Sequence, residues 1–169
     1  MTPLPQVLGG PAQLVAWRLD RKKYASSWDS GEGARLEGGR WNSIGQAVVY
    51  ASLDPATTIL EKAVHAGFGI LDTVPHVMSS LEVFETAALH VVQPEDVPNS
   101  NWLRPAYPSA GQQRFGDDLL AVHMFVLIPS AVSPESWNLF FDPARAAGKY
   151  RLRSQSALAL DGRLNRPGK

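Results

Sequence analysis

Residues 38–61, GGRWNSIGQAVVYASLDPATTILE, constrain the fold more than any other stretch of the chain. Arg40-Trp41 begins a strand, and Asn42-Ser43-Ile44-Gly45 is a turn, since Asn and Gly tolerate left-handed backbone. Ala47 to Ala51 has the composition of a buried strand. Asp54 then caps a helix, Pro55 fits its first position, and Gly67 lies just past its end. Ala56, Ile59, Leu60, Ala63 and Val64 fall on one face of that helix. At about 100° per residue, Glu61 lies on the polar side of this stripe. The pattern predicts a helix that packs on a sheet by its apolar face while Glu61 faces a cleft. A glycine pair, an arginine, a tyrosine and a carboxylate on one short unit suit a site for a phosphate-bearing nucleotide.

The rest of the chain reads as further short strands. Leu14 to Leu19 is a first strand, and Asp20 to Glu37 a polar loop with room for a helical turn. His76 to Phe84, Ala87 to Val92, Met124 to Ile128 and Ser136 to Phe141 are strands by pattern. Lys149 to Leu152 and Ala157 to Leu160 supply the last two. Pro94 to Pro108 holds four prolines and reads as loop or short turns, followed by a helix over Gln112 to Ala121. Many short strands with two or three helices predict an α+β fold of mixed, mostly antiparallel sheets. No GxGxxG or GxxxxGK[ST] is present, so neither the Rossmann nor the P-loop way of holding phosphate is expected.

Composition narrows the function. The 169 residues are enough for a single domain over 1–169 with a sizeable core. Sixteen Lys and Arg balance sixteen Asp and Glu, which gives a polyanion little to hold, so nucleic acid is not an expected direct partner. There are no cysteines, and the four histidines (His65, His76, His90, His123) show no metal-ligand spacing, so no metal is expected. No apolar run approaches the roughly 20 residues needed to cross a bilayer. MTPLPQVLGG lacks the basic start and apolar core of a signal peptide, so the expected location is the cytoplasm, away from membranes.

Each candidate residue has a plain reading beside the chemical one. Arg40 follows two glycines, which let backbone amides approach a phosphate while an arginine fork binds it; a strand-end arginine also pairs with surface carboxylates. Arg18, inside the apolar VAWRL, points either to solvent or to a ligand. Tyr50 and Tyr24 can stack on a nicotinamide or adenine, though a strand-end tyrosine often belongs to the core. Glu61 is the candidate carboxylate; a helical Glu is commonly solvated, and His65 lies one turn on as a partner. Ser130 follows a proline at a strand end, where a serine also caps a turn. Asn138 sits in a strand, where Asn is disfavoured, and so bonds something specific.

Taken in order, these pieces resemble the RES domain family, named for its Arg, Glu and Ser. They are WR at 17–18 with Tyr24 after it, GGRWN at 38–42, Gly45, VVYAS at 48–52 and the helix with Glu61. GDDLL at 116–120, IPSAV at 128–132, ESWNLFFDP at 135–143 and LDGRL at 160–164 follow. The chain departs from the family in lacking a Trp near Leu119-Leu120 and in having Asp142-Pro143-Ala144-Arg145 in place of Asn-Pro followed by His. The resemblance implies an ADP-ribosyltransferase-like fold and a bacterial toxin of a toxin–antitoxin pair that consumes NAD⁺. Hydrolysis or phosphorolysis of the nicotinamide–ribose bond is the expected reaction, with ADP-ribosylation of a host protein as the alternative. A non-catalytic nucleotide- or partner-binding module is the second alternative.

In this reading the expected catalytic residues are Arg40, Glu61 and Ser130, with Arg18, Tyr24, Arg40, Tyr50 and Asn138 binding the dinucleotide. Ser130 is expected to orient the nicotinamide ribose or amide directly. The implied partner is an Xre-type antitoxin that blocks the NAD⁺ site and carries the DNA binding.

Overall fold

The computed structural model describes residues 14–165. In chain order it contains β1 (Leu14–Arg21), α1 (Glu32–Glu37), β2 (Val49–Ser52), α2 (Pro55–Ala66), α3 (Phe68–Thr73), β3 (His76–Val83), β4 (Leu89–Val91), α4 (Ala110–Val122), β5 (Phe125–Pro129), β6 (Trp137–Phe141) and β7 (Tyr150–Ala157), joined by loops and short 3-10 turns. The strands form one seven-stranded sheet in the order β4-β5-β6-β2-β1-β3-β7. Every neighbouring pair is antiparallel except β4 with β5. The architecture is α+β, as the pattern of short strands predicts. No helix among the described residues is long and apolar enough to cross a membrane.

The sheet buries residues on both faces. Phe125 and Leu127 of β5 join one apolar cluster with Trp28, Trp137, Leu139 and Phe141, while Val126 and Ile128 join the other with Trp41, Val48, Leu120 and Phe140. A strand covered on both sides has no polar face to show, which accounts for the unbroken FVLI run.

Where the sheet parts decides where a ligand can enter. β1 pairs with β3 along its whole length, from Leu14–Val83 to Arg21–His76. It pairs with β2 only at Trp17–Ser52. Beyond that pair the two strands diverge, and one side chain spans the gap: Arg18 Nη1 donates to the Tyr50 carbonyl at 3.0 Å.

Helix α2 begins and ends as its sequence dictates. The Asp54 side chain accepts from the Thr57 amide at 2.7 Å, Pro55 occupies the first turn, and Gly67 closes the helix at φ 80°. Its packing reverses the expectation. Thr57 and Thr58 are buried, while Leu60 and Val64 are 41% and 62% exposed. The helix lies on the sheet by its Thr57–Thr58–Glu61 side, anchored where Thr58 Oγ1 donates to the Trp17 carbonyl at 3.1 Å. Two threonine methyls and a hydrogen-bonded carboxylate satisfy a half-polar wall that an aliphatic face would leave unpaired.

Other segments differ from the pattern-based expectation. Glu32–Glu37 is a helix, set between Gly31 at φ 66° and Gly38 at φ 75° and braced by Arg35 on Glu32. Arg40-Trp41 lies in a tight turn closed by a Gly39–Asn42 bridge, not in a strand. Residues 86–88 form a 3-10 turn ahead of the short β4. In place of the two last strands there is one edge strand, β7, whose Ser154, Gln155 and Ser156 are exposed; it ends at Ala157, so Leu158 to Leu160 are not in a strand. Polar residues that read as a break are tolerated at an edge. The N-terminal stretch read for a signal peptide lies outside the described residues.

Gly116 of α4 sits directly on the Trp41 backbone: a Cβ there would lie 2.0 Å from the Trp41 carbonyl oxygen. Gly116→Ala is expected to destabilise the protein by about 1–3 kcal/mol through overpacking, read as a lower urea midpoint. Gly33→Ala, whose Cβ meets nothing within 4 Å inside α1, is the control and is expected to be neutral or slightly stabilising.

Candidate functional site

The diverging strands open a cleft of about 360 Å³, within the size range of small-molecule sites. Its walls come from Trp17 to Asp20 of β1, Tyr50 to Ser52 of β2, the Gly38–Trp41 turn, and Glu61, Lys62 and His65 of α2, with Asn138 of β6 behind. Another groove, lined by Arg21, Lys22, Lys23, Val74 and Pro75, has no carboxylate and no aromatic wall.

The GGRWN turn is built to present one side chain. Gly38 needs its positive φ. Gly39 has no room for a Cβ, which would lie 2.4 Å from Asn42 Oδ1 and 2.8 Å from the Tyr50 hydroxyl. Trp41 is buried in the core. Asn42, fully buried, donates from Nδ2 to the carbonyls of Ala34, Ser43 and Gln46 at 3.0–3.2 Å and accepts from the Tyr50 hydroxyl at 2.7 Å. Arg40 is thereby turned into the cleft.

The two arginines of the cleft stand in different electrostatic states. Arg18 is paired side-on with Asp20, Nε to Oδ2 at 2.8 Å and Nη2 to Oδ1 at 2.9 Å, so its charge is already offset. Among the described residues Arg40 donates only to backbone carbonyls: Nη1 to Trp102 and Arg104 at 3.3 Å each, and Nη2 to Ala106 at 3.1 Å. Neutral acceptors orient a guanidinium without cancelling its charge, so Arg40 remains available to an anion. Burial lowers the Arg40 pKa, and the negative charge of Glu61 across the cleft opposes that shift. Lys62 is also held below the usual lysine range, chiefly by burial.

Glu61 is fixed by the two residues expected to act with it. Its Oε1 accepts from Ser130 Oγ at 2.8 Å and from Asn138 Nδ2 at 2.5 Å, while Asn138 Oδ1 accepts from Ser52 Oγ at 2.7 Å. Ser130 Oγ is itself held by the amides of Val132 and Ser133. Ser130 is 1% exposed and lies outside the cleft wall. Its hydroxyl donates to Glu61, which does line the cleft. Glu61 Oε2 has no hydrogen bond among the described residues.

Tyr50 lines the cleft with its ring stacked on Phe140 at 5.7 Å, and burial of its hydroxyl pushes its pKa up. Tyr24 stands apart from the cleft: it is 50% exposed in the turn after β1, with Lys23 Nζ 4.7 Å from its ring centre. The cleft thus brings together Arg18, Arg40, Tyr50, Glu61 and Asn138, with Ser130 behind. The sequence reading did not single out Asn42, Ser52, Lys62, Gln112 or Gln113. The signal for Asn42 was its place in GGRWN and that for Ser52 its place in VVYAS; Lys62, Gln112 and Gln113 carry none.

Comparison with known proteins identifies the family. The RES domain model matches residues 15–161. "Toxin Res" of Photorhabdus laumondii is 32% identical over 132 residues, covering 77% of this chain and 82% of that protein. "Prs ADP-ribosylating toxin" of a Sphingobium species is 34% identical over 140 residues, covering 79% and 84%. "Toxin Res" of Yersinia enterocolitica is 30% identical over 159 residues, covering 89% and 99%. A chain in the crystal structure of the M. tuberculosis MbcT–MbcA toxin–antitoxin complex has a similar fold, with a TM-score of 0.64 over 86% of this chain and 84% of that one at 20% identity. With the domain model matched over nearly its whole described length, this chain belongs to the RES domain family.

Proposed function

We propose that this chain is the toxin of a toxin–antitoxin pair, a single RES domain that breaks the nicotinamide–ribose bond of NAD⁺. The observation that carries this reading is the opposition of Arg40 and Glu61 in one cleft. Among the described residues, Arg40 is a cation with no carboxylate in hydrogen-bond contact, and Glu61 has one oxygen locked and the other unbonded. Two relatives named as Res toxins and one named as a Prs ADP-ribosylating toxin support it.

The chemistry asks little proton transfer of the protein. Nicotinamide carries a positive charge in NAD⁺ and leaves neutral, so no general acid need protonate it. The remaining tasks are to hold the dinucleotide and to stabilise a cationic ribose. Arg40 binds the pyrophosphate, with Arg18 a weaker contributor because Asp20 already offsets it. Tyr50 offers an aromatic edge to the base, while its high pKa keeps the hydroxyl neutral and bonded to Asn42. Glu61 binds ribose hydroxyls through Oε2 and offsets the positive charge that develops as the glycosidic bond breaks. Ser130 and Asn138 fix the carboxylate beforehand, so it does not reorganise during the reaction.

Water or phosphate is the acceptor in the first reading, and NAD⁺ loss arrests growth. The second reading, transfer of ADP-ribose to a protein, is favoured by the relative named for that activity. The partner is an Xre-type antitoxin that covers the cleft. Exposed Leu36 of α1 and Leu60 and Val64 of α2, on helices that also wall the cleft, offer the apolar surface such a cover would bury.

Glu61→Gln is expected to lower the rate of NAD⁺ loss by about 10²–10³-fold with folding intact, and Arg40→Ala to lower it at subsaturating NAD⁺ by weakening binding to a level calorimetry still measures. Parent-like turnover by both variants would refute the assignment; a thermal melt checks folding. Incubation with adenine-labelled NAD⁺, with and without lysate, separates the acceptors. Free ADP-ribose or its phosphate is the expected product, label on a protein band would establish transfer, and binding by calorimetry without turnover would leave a non-catalytic module.

A further inference from the structure

The first turns of α4 hold the Arg40 turn at several points. Gln112, Gln113, Gly116 and Asp117 fall within an arc of about 140° of one helix face. Gln113 Nε2 donates to the carbonyl of Gly39, the residue before Arg40, at 2.9 Å. Gly116 packs on the backbone of Trp41, the residue after it. The Asp117 carboxylate accepts from the Ser43 amide at 3.1 and 3.3 Å. Gln112, 2% exposed, donates from Nε2 to the Trp102 carbonyl at 3.2 Å, the same oxygen that accepts from Arg40 Nη1 at 3.3 Å.

We propose that Gln112 and Gln113 are positioning residues that set the direction of the Arg40 guanidinium for an oxyanion in the cleft. The inference rests on the reading of Arg40 as the phosphate-binding residue. A guanidinium has five N–H donors. Among the described residues, three of those of Arg40 go to the carbonyls of Trp102, Arg104 and Ala106, none to a carboxylate, and Nε–H is among those left over. Carbonyls can aim a guanidinium only if they are themselves fixed. The Trp102 carbonyl belongs to a short turn, Ser100–Leu103, in a segment that is otherwise largely exposed. The buried Gln112 amide ties that carbonyl to a thirteen-residue helix. Gln113 ties the other end, the backbone that carries Arg40, to the same helix. Both ends of the side chain are therefore referenced to α4. Losing either amide leaves Arg40 in place but loosens its aim.

The test uses the full chain with Gln112→Met and Gln113→Met, which keep volume and remove the donor, each alone and in an Arg40→Ala background. KM for NAD⁺ is expected to rise about tenfold in each single variant with kcat little changed, since a pyrophosphate contact is made equally in ground and transition states. In the Arg40→Ala background the same changes should leave NAD⁺ affinity, measured by calorimetry, unaltered. Equal losses in both backgrounds, or losses that only track a lower Tm, would overturn the proposal. The Arg40 Nε–Hε NMR signal, identified by its loss in Arg40→Lys, gives a readout that needs no NAD⁺. It should shift and exchange faster with solvent in both glutamine variants while other arginine signals hold. An unchanged Arg40 signal would sink the inference even if NAD⁺ is consumed; a changed signal in a protein that neither binds nor consumes NAD⁺ would sustain the positioning role and reject the proposed function instead.

Discussion

The single shared residue pair between β1 and β2 is the constraint from which the rest of this structure follows. A sheet that stayed zipped past Trp17–Ser52 would have no cleft. Because it opens, inward-facing residues of both strands become walls, and each needs a partner from elsewhere. Arg18 bridges the gap to the Tyr50 carbonyl and is held by Asp20. Ser52 turns to Asn138, and Asn138 to Glu61. Helix α2 closes the floor with threonines and a carboxylate where an ordinary amphipathic helix would bring leucines. The polar character of its buried face is the consequence of lying over an opening.

Two kinds of preorganisation meet across that opening. On one side a carboxylate is fixed through one oxygen by a serine and an asparagine that are themselves hydrogen-bonded. On the other, a guanidinium is aimed by uncharged carbonyls. Pairing the two directly would cancel both charges and close the cleft. The Asn42–Tyr50–Gly39 contact and the face of α4 keep the arginine's backbone where it is, at the cost of a buried amide and a glycine that tolerates no substitute.

Much of the frame was legible because it is local. Asp54, Pro55 and Gly67 mark the ends of α2 by backbone chemistry alone, and the FVLI run marks a strand covered on both faces. GGRWN, YAS and the helical Glu61 identified the family because they are close in sequence and fixed in spacing. What was not legible depends on contacts distant in the chain. The outward turn of Leu60 and Val64 follows from Ser130 and Asn138, far along the chain, which make a polar seat for Glu61. Ser130 has the right type and place for a ligand contact, and only packing puts it behind the carboxylate. Tyr24 and Tyr50 were equivalent as aromatic candidates; the stacking of Tyr50 on Phe140 and the exposure of Tyr24 separate them. Gln112 and Gln113 carry no motif, since a glutamine in a first helical turn is ordinary.

The central claim is that one dinucleotide is gripped at both ends of this cleft. A crystal structure with a carbocyclic NAD⁺ analogue, whose glycosidic bond resists cleavage, tests it most directly. The account predicts the pyrophosphate on the free N–H edge of Arg40 and a ribose hydroxyl within hydrogen-bond distance of Glu61 Oε2. An analogue seated instead in the groove of Arg21, Lys22 and Lys23, or lying in the cleft with neither contact, would contradict it.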